Sequence, residues 1–284
     1  MTEQPRLIGI DRLCRQEREA CLIAVRVLEV AEAEAWDVGG RQGAVDVMLT
    51  LEDGRKAAFE VTNLAAEGAL KLAMLLAKDN HKWSVPGAWF WTIEIGSLED
   101  LGRLKGCYDN IIRICEGAGV AYPEEIGWSE SADPDLQWLV QVSLSVMTGY
   151  PEQLAKDMKN PGAMVVPRAG GGVIDESMTG FAAALSEAFK RPHIIQEHFD
   201  KLARADADER HLFIPLHDSA LPFGISSELV FEDTLPPEPP PVPDSVTHLW
   251  LAPAGSRRVL LWSRGEGWRN FPTKAATPFP MPRR

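Results

Sequence analysis

Residues 43–62 read GAVDVMLTLEDGRKAAFEVT, and the alternation within them decides the fold. Val45, Val47, Leu49 and Leu51 are apolar, with Asp46, Met48 and Thr50 between them. Past a turn, Ala57, Phe59 and Val61 alternate with Ala58, Glu60 and Thr62. A period of two puts one set on each face of a strand, so two strands sharing an apolar face are predicted. Glu52-Asp53-Gly54 suits a three-residue hairpin loop with glycine at its left-handed position. That loop pairs Leu51 with Arg55, Leu49 with Ala57, Val47 with Phe59, and Asp46 with Glu60. A two-residue Asp-Gly turn would slide the register by one and set Val47 against Glu60, mixing the faces. The apolar pattern therefore selects the longer loop. Asp46 and Glu60 then face one another, with Thr62 diagonal to them. Carboxylates about 5 Å apart repel unless a positive charge stands between them.

This hairpin resembles the active-site hairpin of the PD-(D/E)XK nuclease superfamily, which has the restriction-endonuclease-like fold. Asp46 matches that family's aspartate. Glu60-Val61-Thr62 matches its (D/E)-x-K, with threonine in the place of lysine, and Ala44-Val45-Asp46 rather than a Pro-Asp precedes the strand. The resemblance covers residues 8–95 and, more weakly, the helices and strands after 178. It implies an α/β (α+β) fold in which helices flank a central mixed β-sheet. It also implies Mg²⁺ or Mn²⁺ held by Asp46 and Glu60, and cleavage of a phosphodiester.

Working outward, residues 9–33 are predicted as a helix with Asp11 at its N-cap. Ile10, Leu13, Cys14, Cys21, Ala24, Leu28 and Ala31 form one stripe, with Glu17 at its centre and Glu19 on the opposite face. A glutamate in a core-facing stripe needs a partner, because an unpaired buried carboxylate is costly. An ion pair near the helix start satisfies that need. So does Glu17 reaching the Asp46/Glu60 site as a further metal ligand, since many members of the resembled superfamily supply such a glutamate from the first helix.

A second helix is expected over 65–79. Lys71 and Lys78 share a face there, with Glu67 four residues before Lys71. This is either a solvated, salt-bridged face or the place to which the missing lysine has moved, as it has in some members of the resembled superfamily. Lys56 is a poorer substitute, about 13 Å along the strand from Glu60 at ~3.3 Å per residue. Residues 88–95 alternate as a further strand of the same core, and 98–116 read as a helix.

The expected organisation is a nuclease-like core over 1–117, an insertion or small subdomain over 118–177, and helices and strands over 178–284 completing the first domain. Gly170-Gly171-Gly172 lacks the Gly-Lys-Ser/Thr of a phosphate loop and reads as a connection. Helices over 178–205 break at Pro192. His193 and His198 are five apart and do not share a helical face as a metal pair would. Residues 210–217 form a strand. Pro236–Pro243 reads as a stiff polyproline crossing. Residues 247–252, 258–263 and 267–271 form a terminal antiparallel meander.

The chain has 284 residues, a net charge of −12, 45% hydrophobic and 25% charged residues, ordinary values for a globular protein. The acidic balance argues against non-specific phosphate binding as a default. Cys14, Cys21, Cys107 and Cys115 show no C-x-x-C spacing and read as reduced, buried thiols. No apolar run approaches the ~18 residues of a membrane span, and no basic region with an apolar core opens the chain. A cytoplasmic protein without membrane contact is expected. Two functional readings stand: a divergent, non-catalytic member acting by binding nucleic acid or a partner protein, and a Mg²⁺- or Mn²⁺-dependent nuclease using Asp46, Glu60 and Lys71.

Overall fold

The computed structural model describes residues 4–38, 43–129, 132–151, 161–168, 177–190 and 194–272. The fold is mixed α/β, and the chain divides into two units, residues 1–66 with 171–284, and residues 67–170. The insertion therefore begins just after the hairpin rather than at 118, and residues 67–117 belong to it. The Gly170–Gly172 connection, Pro192 and His193 lie outside the described residues.

In the first unit, β1 (Arg6–Ile8) and a 3-10 turn lead into α1 (Arg15–Val27). The N-cap is Cys14, not Asp11. Cys14 Sγ accepts from Glu17 N–H, and the Glu17 side chain accepts from Cys14 N–H, closing a capping box. This leaves Cys14 exposed, while Cys21, Cys107 and Cys115 are free buried thiols. The helix is also shorter than the predicted 9–33, because Val30–Ala35 is strand β2. Glu29 turns the chain with φ 53. Alanine and glutamate favour helix locally, but here Val30, Ala33 and Ala35 are buried and β2 pairs with the next strand. Tertiary pairing overrides local propensity.

The hairpin follows as β3 (Val47–Leu51) and β4 (Lys56–Val61). Val47 pairs with Phe59 and Leu49 with Ala57. Gly54, at φ 86, donates its N–H to Leu51 O at 3.0 Å. This is the register of the three-residue loop. After the insertion come α6 and α7 (Phe181–Lys190 and Ile194–Arg204), β9 (Glu209–Leu216), α8 (Phe223–Phe231), and the meander β10 (His248–Pro253), β11 (Arg258–Ser263) and β12 (Gly267–Pro272). The eight strands order as β1-β2-β3-β4-β9-β10-β11-β12. β4 and β9 are parallel, as are β9 and β10.

Strand alternation gives this sheet two apolar faces. One gathers Val47, Leu49, Phe59 and Val61 with Ala20, Cys21 and Ala24 of α1. The other gathers Ala58, Leu212 and Ile214 with residues of α6, α7 and α8. Val242 of the polyproline crossing packs on this second face, and the Glu238 carbonyl accepts from Trp268 Nε1 at 2.8 Å.

The second unit holds α2 (Ala69–Lys78), β5 (Lys82–Trp83), β6 (Phe90–Ile95), α3 (Leu98–Ala118), α4 (Glu124–Gly127), α5 (Pro134–Gln141), β7 (Val146–Tyr150) and β8 (Gly162–Pro167). Its sheet orders as β5-β8-β6-β7 around a core that includes Trp91, Ile93, Ile111 and Met147. The strand expected beside the hairpin core, residues 88–95, is thus the β6 of this separate sheet. Beside β4 lies β9 instead. Both strands are apolar and short, and periodicity alone does not say which one β4 takes.

Candidate functional site

Asp46 immediately precedes β3, and Glu60 lies near the end of β4, on the face covered by α7. Two bonds tie the pair together. Asp46 N–H donates to Glu60 Oε2 at 3.0 Å, and Val61 N–H donates to Asp46 Oδ2 at 2.7 Å. Glu60 is wholly buried and Asp46 nearly so. Such burial demands compensation, and α7 supplies it. Lys201 Nζ lies 2.8 Å and His198 Nδ1 2.6 Å from Glu60 Oε1.

The charge balance of the site is incomplete. Burial, then the charge of Glu60, push the Asp46 carboxyl up to about 7, against the Val61 hydrogen bond and the charge of Lys201. Burial alone would lower Lys201. The hydrogen bond and charge of Glu60, with the charge of Asp46, hold it above its ordinary value instead. Among the described residues no donor reaches Asp46 Oδ1.

The other anticipated residues are placed as follows. Glu17 is half-buried and Glu19 exposed, paired with Arg15. The charge of Glu17 acts on Asp46, but its Oε2 is engaged at 2.9 Å by Cys14 N–H. The neighbouring Gln16 and Asn63 side chains bond one another, joining the start of α1 to the chain just after β4. Thr62 is buried, and its N–H donates to Phe213 O at 3.0 Å. Lys71 is an exposed residue of α2 in the second unit. The lysine on Glu60 is Lys201.

Sequence reasoning missed both Lys201 and His198, having weighed His198 only against His193. The signal lay in α7 itself. Ile195, Phe199 and Leu202 form its buried stripe, and His198 and Lys201, three apart, flank that stripe. Two cationic or ionisable side chains beside a core-facing stripe match an unpaired strand glutamate.

Lys201 also borders a cleft of about 490 Å³, whose lining includes Trp36, Ala44, Met48, Lys56 and Arg204. Three of the lining side chains, Lys56, Lys201 and Arg204, are cationic and one, Asp206, is anionic, in a chain of net charge −12.

A second polar group occupies the opposite face of the sheet. Glu209, His211 and His248 place carboxylate and imidazole atoms within 4.8 Å of one another, a possible metal-binding group. His211 and His248 pair directly across β9 and β10, their rings stacked at 4.0 Å. Burial first, then the neighbouring His211, lowers His248 to about 3, and the His211 hydrogen bond holds Glu209 near 2 despite its burial. The tautomer of His211 nevertheless disfavours a metal. Trp250 Nε1 donates to His211 Nδ1 at 3.1 Å, so the ring proton resides on Nε2, 2.8 Å from Glu209 Oε2. A cation at Nε2 would have to displace that proton while Trp250 still faces Nδ1. Arg55 also holds Glu209 from the hairpin loop.

Comparison of the chain with protein-family models, curated proteins and solved structures finds no match. No described helix is long and apolar enough to cross a membrane.

Proposed function

We propose that the first unit is a divergent PD-(D/E)XK-like domain that cleaves phosphodiesters of nucleic acid with Mg²⁺ or Mn²⁺. One observation carries this reading: Lys201 Nζ lies 2.8 Å from Glu60 Oε1 and its charge reaches Asp46. The cation missing at Thr62 is thus supplied from α7, and Lys71 is not needed for it.

The donor set fits a hard divalent cation. Among the described residues Asp46 Oδ1 has no donor and Glu60 Oε2 receives one hydrogen bond, and Asp46 carries the destabilised charge that a cation relieves. Asp46 and Glu60 would hold the ion, with Glu17 contributing field from α1 rather than direct ligation. When bound, the metal lowers the pKa of a coordinated water and offsets phosphate charge. The protein's own groups do the rest. Lys201 bridges the carboxylate pair and the cleft, where it is placed to offset charge on a phosphoryl oxygen. Lys56 and Arg204 draw a phosphate chain along the same cleft. The β3–β4 register keeps Asp46 and Glu60 in one fixed geometry.

The competing reading is a non-catalytic module binding nucleic acid or a protein, favoured by the net charge of −12 and the zero exposure of Glu60. Titration of Mn²⁺ into wild type and Asp46→Asn by calorimetry, alongside incubation with labelled DNA and RNA, separates the two. Mn²⁺ binding and cleavage by wild type, both lost in the variant, support the enzyme. Neither binding nor cleavage leaves the module.

A further inference from the structure

A cleft of about 390 Å³ lies within the second unit, lined by Asp79, Lys82, Trp83, Ser84, Lys105 and Tyr108. Three elements build it. Asp79 closes α2, Lys82 and Trp83 form β5, and Lys105 and Tyr108 stand three apart on one face of α3. Trp83 and Tyr108 are half-buried, their ring centres 4.9 Å apart and their planes at 49°. Polar bonds fix both rings at their edges. Tyr108 Oη donates to the Ser84 carbonyl at 3.0 Å, and Trp83 Nε1 to Asp79 Oδ2 at 3.4 Å. Lys105 Nζ donates to the same Asp79 oxygen at 2.7 Å and stands 5.6 Å from the centre of the Trp83 ring. Such rings are set in place before any ligand arrives, which lowers the cost of binding.

Two rings and a carboxylate are also the parts of an amine site. The charges decide against an amine. Lys105 already takes the Asp79 carboxylate, and two lysines against one aspartate leave the cleft positive. Its ligand is therefore flat, to lie on the rings, and anionic, to meet the lysines. A nucleotide is both. Lys82, Ser84 and Lys105 are exposed, so the cleft covers one side of a base and leaves the rest of a chain free to continue past it. The bases of a duplex are already stacked on one another, whereas those of a single strand have open faces.

We propose that this cleft binds single-stranded nucleic acid, with one base against Trp83 and Tyr108 and the adjoining phosphate at Lys82 and Lys105. The proposal rests on nucleic acid as the substrate in the reading above, and it gives the second unit the task of holding an unpaired strand. Stacking tolerates any base, so the site selects strandedness rather than sequence. Asp79 is a positioning residue that holds both the indole and Lys105.

The test measures binding by the full chain, as fluorescence anisotropy of a fluorescein-labelled oligothymidylate in EDTA, which stops metal-dependent cleavage. Trp83→Leu keeps apolar bulk and removes the stacking face, so affinity should fall about tenfold. Trp83→Phe should recover part of that loss. Lys82→Ala should flatten the dependence of log K on log salt by about 0.7, the share of one phosphate contact on a single strand. A merely structural Lys82 would not move that slope. Trp128→Ala removes an exposed tryptophan of the same unit that does not line the cleft, and it should bind as wild type does. Should Trp83→Leu fail to fold, Lys82→Ala and its salt slope carry the test.

Trp83→Leu binding within about twofold of wild type, or an unchanged salt slope in Lys82→Ala, overturns the site. So does an equal loss in Trp128→Ala, or a duplex bound as tightly as the single strand. A wild type that binds no strand in EDTA overturns it too, whatever it cleaves with Mn²⁺. A wild type that binds the strand through Trp83 yet cleaves no DNA or RNA with Mn²⁺ upholds the site and refutes the cleavage reading alone.

Discussion

Removing the charge of Asp46 should stabilise the metal-free protein increasingly as pH rises from ~4 to ~7. The carboxyl is raised from 3.8 to about 7, chiefly by burial and next by Glu60. A raised acid binds its proton more tightly in the folded state than in the unfolded one, so stability falls as pH rises. The contribution is fully present below pH ~4 and is lost as pH passes through about 7. A carboxyl raised that far loses roughly 4 kcal/mol of stability between those limits. Asp46→Asn keeps an oxygen for the Val61 N–H and removes the titration. Relative to wild type, the variant should therefore gain on the order of 2–4 kcal/mol on going from pH 4 to pH 8. Urea denaturation in chelator at both pH values measures the difference, and the titrations of groups remote from Asp46 cancel in it. A variant equally displaced from wild type at pH 4 and pH 8, or less stable at pH 8, would refute the reasoning.

Three further outcomes follow from the same geometry. Lys201→Met should cost about 2 kcal/mol by leaving wholly buried Glu60 underbalanced, and less than half of that in a Glu60→Gln background; additive losses in the double-mutant cycle would remove the pairing. His248 is lowered to about 3, first by burial, so its folded form resists protonation and stability should drop as pH falls below ~6.5. His248→Asn should flatten that acid limb in urea melts at pH 7 and 4.5, and an unchanged slope would count against it. Gly54→Ala, at φ 86, should cost about 1 kcal/mol without altering cleavage; a neutral or stabilising effect in urea melts would argue against the left-handed loop residue.

The hairpin was legible because two independent patterns agreed. The apolar alternation on both strands and the glycine of Glu52-Asp53-Gly54 permit one register, and that register sets Asp46 beside Glu60. The first helix was legible only in part. Cys14 and Glu17 cap it through a weak sulfur acceptor that seldom marks a helix start, and Ala31 to Ala35 look helical until a strand is available to pair with them. The neighbour of β4 was hidden for a different reason. Residues 90–95 and 209–216 are both short apolar strands, and the choice between them depends on how the chain returns after the insertion. The cation at Glu60 was hidden by distance along the chain, since Lys201 lies 141 residues away. Helix α8 had no stripe to find, because Phe223, Ile225, Leu229, Val230 and Phe231 point all round it.

Cleavage by paired lysine variants tests the central claim most directly. Wild type, Lys201→Ala and Lys71→Ala are incubated with labelled DNA and RNA in Mn²⁺, with a chelator control. Metal-dependent products from wild type and Lys71→Ala, with cleavage by Lys201→Ala reduced about 100-fold or more, are expected if Lys201 stands in for the motif lysine. Undiminished cleavage by Lys201→Ala, or no cleavage by wild type, would contradict it.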